Sequence, residues 1–224
     1  MGTDNLFHKR KAKGARELKR RKHKRAPYDK VLIVTEGKKT EPEYFNDLKK
    51  YYRIHSANIK IDGSGDSSPE SVIKYGKKLY EDERSGGDAF DRVYFVFDKD
   101  THLTYPQALD AIKRYRRRRK NTFFAINSVP CFEYWLLLHF IYTTEPFPAT
   151  GQLSAADQVI RKLKKYCPDY DKSAPGLFTK LYDKLEMAKV NAINALKAAD
   201  QAGTDIPSTL VHELVEYLQN IKKM

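Results

Sequence analysis

The sequence predicts an α/β fold: a parallel β-sheet flanked by helices, followed by an all-helical extension. Three observations lead there. Short, almost continuous apolar runs rich in β-branched and aromatic residues read as buried strands. They alternate with segments of helical spacing through the first 140 residues, the order that builds a parallel sheet with helices on its faces. Beyond Pro148 only helical spacing remains. With 224 residues, 41% of them apolar and 12% aromatic, the chain can bury the core of one good-sized domain with an appendage. Wholesale disorder is not expected of such a composition. The expected organisation is a basic arm over residues 1–26, an α/β domain over 27–147 and a helical extension over 148–224.

Residues 30–35 (Lys-Val-Leu-Ile-Val-Thr) read as a buried strand that stops at Glu36-Gly37. Thr40, Pro42 and Glu43 follow as a helix start: Thr40 is placed to cap, Pro42 is tolerated in the first turn, and Glu43 completes a capping-box spacing. That helix should run to about residue 53, with Tyr44, Phe45 and Leu48 on its apolar side. Residues 57–61 are a second expected strand. The loop Gly63-Ser64-Gly65-Asp66-Ser67 then leads to Ser68-Pro69-Glu70-Ser71, the opening of another helix. Residues 92–97 (Arg-Val-Tyr-Phe-Val-Phe) are the clearest strand, ending in Asp98-Lys99-Asp100. A helix over about 105–117, a fourth strand over 122–126 and a helix over 132–140 complete the alternation. The extension reads as helices over about 155–166, 176–199 and 208–222.

The formal net charge of +13 is unevenly placed. Residues 9–25 hold eleven cations, Arg20 and Arg21 among them, against the single acid Glu17. Such an arm neutralises phosphates on binding nucleic acid, or simply serves as a solvated leader. A second cluster, Lys113-Arg114-Tyr115-Arg116-Arg117-Arg118-Arg119-Lys120, exceeds what a helix C-terminus needs for capping and is a candidate phosphate-facing patch. No apolar run approaches the ~20 residues of a membrane span. The first residues have no apolar core, so a secretory signal is not expected. Cys131 and Cys167 lack zinc spacing; free thiols, and hence a cytoplasmic location, are expected.

Ligands of open parallel sheets bind outside the carboxyl ends of the strands. Glu36 stands at the end of the first strand, and Asp98 and Asp100 at the end of the third. Alternation along an extended segment sends Asp98 and Asp100 one way and Lys99 the other. Three carboxylates there repel unless a cation joins them, and hard oxygen ligands suit Mg²⁺ or Mn²⁺. Glu133 interrupts an apolar helix start near the same edge, as a further site acid or as a partner of the helix dipole. Glu41, one turn into the first helix, is a candidate on the same terms. His139, deep in Leu138-His139-Phe140, is expected to be a satisfied core residue, and Tyr134, Trp135 and Phe140 belong to the core.

A strand ending in Glu-Gly, then helix, strand, helix and a strand ending in Asp-x-Asp resembles the Toprim domain of topoisomerases, primases and OLD-type nucleases. More narrowly, residues 34–45 (Val-Thr-Glu-Gly-Lys-Lys-Thr-Glu-Pro-Glu-Tyr-Phe) resemble the opening motif of the RloB-like family, and residues 96–102, 130–140 and Pro207-Ser208-Thr209 agree with it. One departure is Val129, where the family often has asparagine before the proline. The resemblance implies an effector of bacterial anti-phage or abortive-infection loci, commonly encoded beside an ABC-type ATPase. It implies a metal-dependent nuclease cutting RNA such as tRNA, or DNA, with homo-oligomers an open state. Glu36 would be a metal ligand or general base, and Asp98 and Asp100 the principal metal ligands, with Glu133, Glu41 and Lys172 assisting. Lys38, Lys39, His102, Arg114, Arg116, Arg117, Arg118 and Arg119 would meet nucleic acid. Two other classes are weighed: a non-catalytic nucleic-acid-binding or regulatory subunit, and a primase-like nucleotidyl transferase. The latter is disfavoured because no zinc-binding module or second polymerase-like domain is visible.

Overall fold

The computed structural model describes residues 26–63, 68–99, 104–119 and 122–223. Four strands, β1 (Val31–Thr35), β2 (Ile59–Gly63), β3 (Arg92–Asp98) and β4 (Phe123–Val129), lie parallel, and a two-residue strand β5 (Ser208–Thr209) is antiparallel to β4. The order across the sheet is β2-β1-β3-β4-β5. β1 and β3 are central, which is why their apolar side chains are buried on both faces and their sequences read as continuous apolar runs.

Helices α1 (Thr40–Tyr51), α2 (Pro69–Ser85), α3 (Tyr105–Arg118) and α4 (Phe132–Leu137) return between or after the strands. Helices α2 and α3 cover one face, packing Val72, Ile73 and Ile112 on Leu32, Val34, Phe95 and Phe97. The other face is covered by α1, α4 and the C-terminal helices α5 (Ala155–Leu163), α6 (Leu177–Leu181), α7 (Leu185–Gln201) and α8 (Val211–Asn220), which share one core with Val31, Ile33, Tyr94 and Val96. Trp135 sits fully buried there and donates its indole N–H to the Tyr44 hydroxyl at 2.9 Å. No helix of the described residues is long and apolar enough to cross a membrane. Neither Cys131 nor Cys167 is in a disulfide.

The α/β architecture with its helical C-terminal part agrees with the reading of the sequence, and local departures have identifiable causes. β4 continues past the expected residue 126 to Val129 because it finds ladder partners on both sides: Asn127 opposite Phe97, Ser128 opposite Asp98 and Thr209, and Val129 opposite Ser208. The same pairing turns Ser208 and Thr209, expected to open the last helix, into a strand, so the extension does contribute to the sheet. β2 starts at Ile59 rather than residue 57, since its register is set by Val31. The helix expected over 176–199 is broken by a 3₁₀ turn at Tyr182–Lys184. Thr40 is not a cap: Lys39 occupies the N-cap without a side-chain bond, and the Thr40 hydroxyl donates to the Lys172 carbonyl at 2.9 Å. His139 is fully buried but only half satisfied. Its Nδ1 lies 3.1 Å from the Trp135 carbonyl while Nε2 has no hydrogen-bond partner, and burial lowers its pKa to about 4.

Candidate active site

Parallel register places the ends of β1 and β3 side by side. Thr35 pairs with Val96, and the Glu36 amide donates to the Val96 carbonyl at 3.0 Å, so Glu36 leaves the sheet beside Asp98. One Glu36 carboxylate oxygen accepts the Asp98 backbone N–H at 3.1 Å. The third strand sends Lys99 the other way, as alternation requires, to a 2.6 Å ion pair with Asp205.

The turn after β1 carries a second acid into the same place. Helix α1 begins at Thr40, and Glu41 in its first turn folds back over Gly37, where an added Cβ would lie 2.4 Å from Glu41 Oε2. Glycine at 37 is therefore a condition for seating Glu41. Helix α4 supplies Glu133 from its own first turn, almost wholly buried. The segment after α5 closes the site from the far side. The Tyr170 hydroxyl donates to Glu133 Oε1 at 3.0 Å, and Lys172 Nζ pairs with the same oxygen at 3.3 Å. Glu36, Lys38, Lys39, Glu41, Asp98, Glu133 and Lys172 thus line one cleft of about 400 Å³ at the carboxyl edge of the sheet.

Four carboxyls, two of them strongly shifted by burial, share the cleft with three lysines. Burial, reinforced by the charges of Glu41, Glu133 and Glu36, raises the Asp98 pKa well above the usual carboxylate range, with the Phe132 backbone amide opposing. Burial likewise raises Glu41 to about 7; its own backbone amide and Lys172 oppose this, while Glu133 and Glu36 add to it. Burial pulls the Lys172 ammonium down, but the charge and hydrogen bond of Glu133 outweigh it and hold the pKa above its ordinary value. Burial and the Glu133 charge keep the Tyr170 phenol and the Cys131 thiol neutral. Like-charged acids crowded in this way are relieved by protons or by a cation.

As donors, these oxygens fit a hard divalent ion. They are not a finished cage: among the described residues no group of three or more His, Cys, Asp or Glu side chains is placed to hold a metal. Asp100 and His102, expected at the site, and Arg20 and Arg21 of the arm lie outside the described residues.

The cationic cluster at the end of α3 divides. Arg114, Arg117 and Arg118 are exposed. The Arg116 guanidinium lies 4.7 Å over the Phe124 ring, and Arg119 pairs with Glu81 at 3.2 Å. Tyr170 and Gly37 have roles here that reading the sequence missed. The only signal for Tyr170 was its place two residues before Lys172, in a segment with no local pattern; for Gly37 it was the Glu-Gly ending of the strand.

Together the fold and the cleft define an α/β protein with an acidic centre at the carboxyl edge of a mostly parallel sheet. The chain belongs to the RloB-like protein family, whose model matches residues 31–218, from the first residue of β1 into α8. No curated protein matches the chain.

Proposed function

We propose that this protein is a metal-dependent endonuclease of the Toprim type. Its substrate is nucleic acid, RNA such as tRNA in preference to DNA. It acts as the effector of a bacterial anti-phage or abortive-infection system, under the control of a partner ABC-type ATPase. The observation that carries the proposal is the gathering of Glu36, Glu41, Asp98 and Glu133, from four separate segments, into one cleft at the strand ends. A surface meant only to bind phosphate would not concentrate acids there. Membership of the RloB-like family supports the effector role, and the excess of cations supports a polyanionic substrate.

Asp98 and Glu36 would hold Mg²⁺ or Mn²⁺, with Asp100 joining them. The bound ion would supply an acidified water and neutralise charge on the phosphate. The remaining chemistry belongs to the chain. Lys172, with 57% of its side chain exposed at the rim, and Lys38 line the cleft and would meet phosphate oxygens. Glu41, whose burial raises its pKa, would serve as a proton carrier beside the reacting phosphate. Tyr170 and Lys172 fix the Glu133 carboxylate from one side.

The test is cleavage of total tRNA and plasmid DNA by the full chain with Mg²⁺, Mn²⁺ or chelator, alone and with the ATPase. Glu36→Gln and Asp98→Asn should each reduce cutting to background while leaving the fold and most nucleic-acid binding intact; wild-type cutting by either variant would sink the assignment. A second reading, a binding or regulatory subunit, is favoured by one observation: the net charge of +13 serves nucleic-acid binding with or without cutting. Tight nucleic-acid binding without cutting under every condition, ATPase included, would select it.

A further inference from the structure

We propose that the groove between α2 and α3 is a track for the phosphate backbone of a single nucleic-acid strand leading away from the acidic cleft. The proposal rests on the reading of the protein as acting on nucleic acid and adds the form of the substrate. Both helices follow parallel strands, so both start at the carboxyl edge of the sheet, where Asp98 lies, and run back across the same face. Between them is a groove of about 470 Å³ with Glu70 and Thr104 at the end nearest the cleft and Tyr115 at the other. At 1.5 Å per residue, Thr104 to Tyr115 spans about 16 Å.

Small side chains keep the groove open on its α3 side, where Ala108 and Ala111 line it. Gly76 lies on the opposite, sheet-facing side of α2 and lets that helix sit close on the sheet, since a Cβ there would lie 2.5 Å from the Phe95 ring. Its rim is cationic. Lys74, Lys77 and Arg114 face it against the single acid Glu70, and Lys77 Nζ sits 4.1 Å over the Tyr115 ring. Of the cations at the basic end of α3 only Arg114 lines the groove; Arg116 lies over Phe124 and Arg119 pairs with Glu81, so that end is not a uniform patch. Cations along a channel follow the phosphate backbone of one strand without reading its sequence. A duplex is too wide to enter a slot between two packed helices.

The experiment measures binding of fluorescent single-stranded and duplex RNA and DNA oligonucleotides to the full chain carrying Asp98→Asn, over a range of salt. Adding Lys74→Glu and Arg114→Glu, both at exposed positions, should weaken single-strand binding tenfold or more. It should also flatten the slope of log affinity against log salt by about 1.4, two lost phosphate contacts at about 0.7 each. Lys180→Glu with Lys197→Glu, the same charge change at exposed positions outside the groove, should weaken it less than threefold. Equal losses for the two pairs, unchanged affinity for the groove pair, or preference for duplex would overturn the track while leaving a nucleic-acid enzyme intact. No binding of any nucleic acid by the parent, even at low salt, would overturn the underlying reading as well.

Discussion

Tyr170 reaches Glu133 through a single 3.0 Å hydrogen bond, yet it comes from a segment far along the chain. A partner of this kind orients a site carboxylate, and losing one typically costs ten- to a hundredfold in activity at comparable sites. Tyr170→Phe should therefore lower cleavage by about tenfold with a near-native melting temperature; cleavage at the wild-type rate would show that Glu133 needs no such partner. Glu41 makes a second prediction. A carboxyl whose pKa rises from 4.5 to about 7 on folding binds its proton more tightly in the folded state. Its contribution favours the fold below pH 4.5 and is lost as pH climbs through 7, about 3 kcal/mol across that window. In chelator, wild-type stability should fall over this range in denaturant titrations, and Glu41→Gln should lessen the fall without abolishing it, because the raised pKa of Asp98 contributes in the same direction. Added Mg²⁺ or Mn²⁺ should restore wild-type stability at pH 8 if the cluster takes the ion.

At the scale of the elements, Gly76 sets two effects against each other. Replacing a helix-interior glycine by alanine gains about 1 kcal/mol of helix propensity. The new Cβ would meet the Phe95 ring at 2.5 Å and a Val34 methyl at 2.9 Å, and overpacking of this kind costs about 1–3 kcal/mol. The clash should win, so Gly76→Ala is expected to destabilise the protein by up to about 2 kcal/mol in urea unfolding, the reverse of the propensity rule. Much at this scale was legible beforehand. β1 and β3 show as apolar runs because they lie between other strands, and Ser68 and Pro69 open α2 with the Ser68 side chain accepting the Ser71 amide. The end of β4 and all of β5 were not legible. Asn127, Ser128, Ser208 and Thr209 carry little strand signal, and their conformation comes from distant partners: Phe97 and Asp98 on one side of β4, and the mutual pairing of β4 and β5 on the other, with the Ser128 and Thr209 hydroxyls meeting at 2.9 Å. Thr40 misled for a related reason: its spacing suits a cap, but a distant carbonyl claims its hydroxyl.

For the whole molecule, the sheet and the C-terminal helices are one core. Arg92 bonds Asp29 and lies over the rings of Phe124 and Tyr217, and the Tyr217 hydroxyl also donates to Asp29. Asn191 of α7 donates its side-chain amide to the Leu138 carbonyl at the end of α4, and α8 lays Val211, Leu214, Val215 and Leu218 into the core beside β4. A chain ending at residue 147 would expose this face, leave β4 as an unpaired edge and lose Lys172 and Tyr170 from the cleft. It should be recovered only as aggregate or as a poorly packed species, which circular dichroism and gel filtration would show; a monomer with cooperative unfolding would refute the shared core.

What the sequence determined alone was the order of elements from β1 to α4 and the acidic strand ends. Apolar periodicity and the register of a parallel sheet are local rules, and they place Glu36 and Asp98 at the same edge wherever the rest of the chain goes. The tertiary structure decided the remainder of the site. Glu41 depends on Gly37 making room, Glu133 on α4 packing against the sheet, and Tyr170 and Lys172 on the extension folding back over both. Apart from the local fit of Glu41 over Gly37, those placements arise from contacts between residues tens to more than a hundred positions apart. The energies that select them belong to the assembled core rather than to any local pattern.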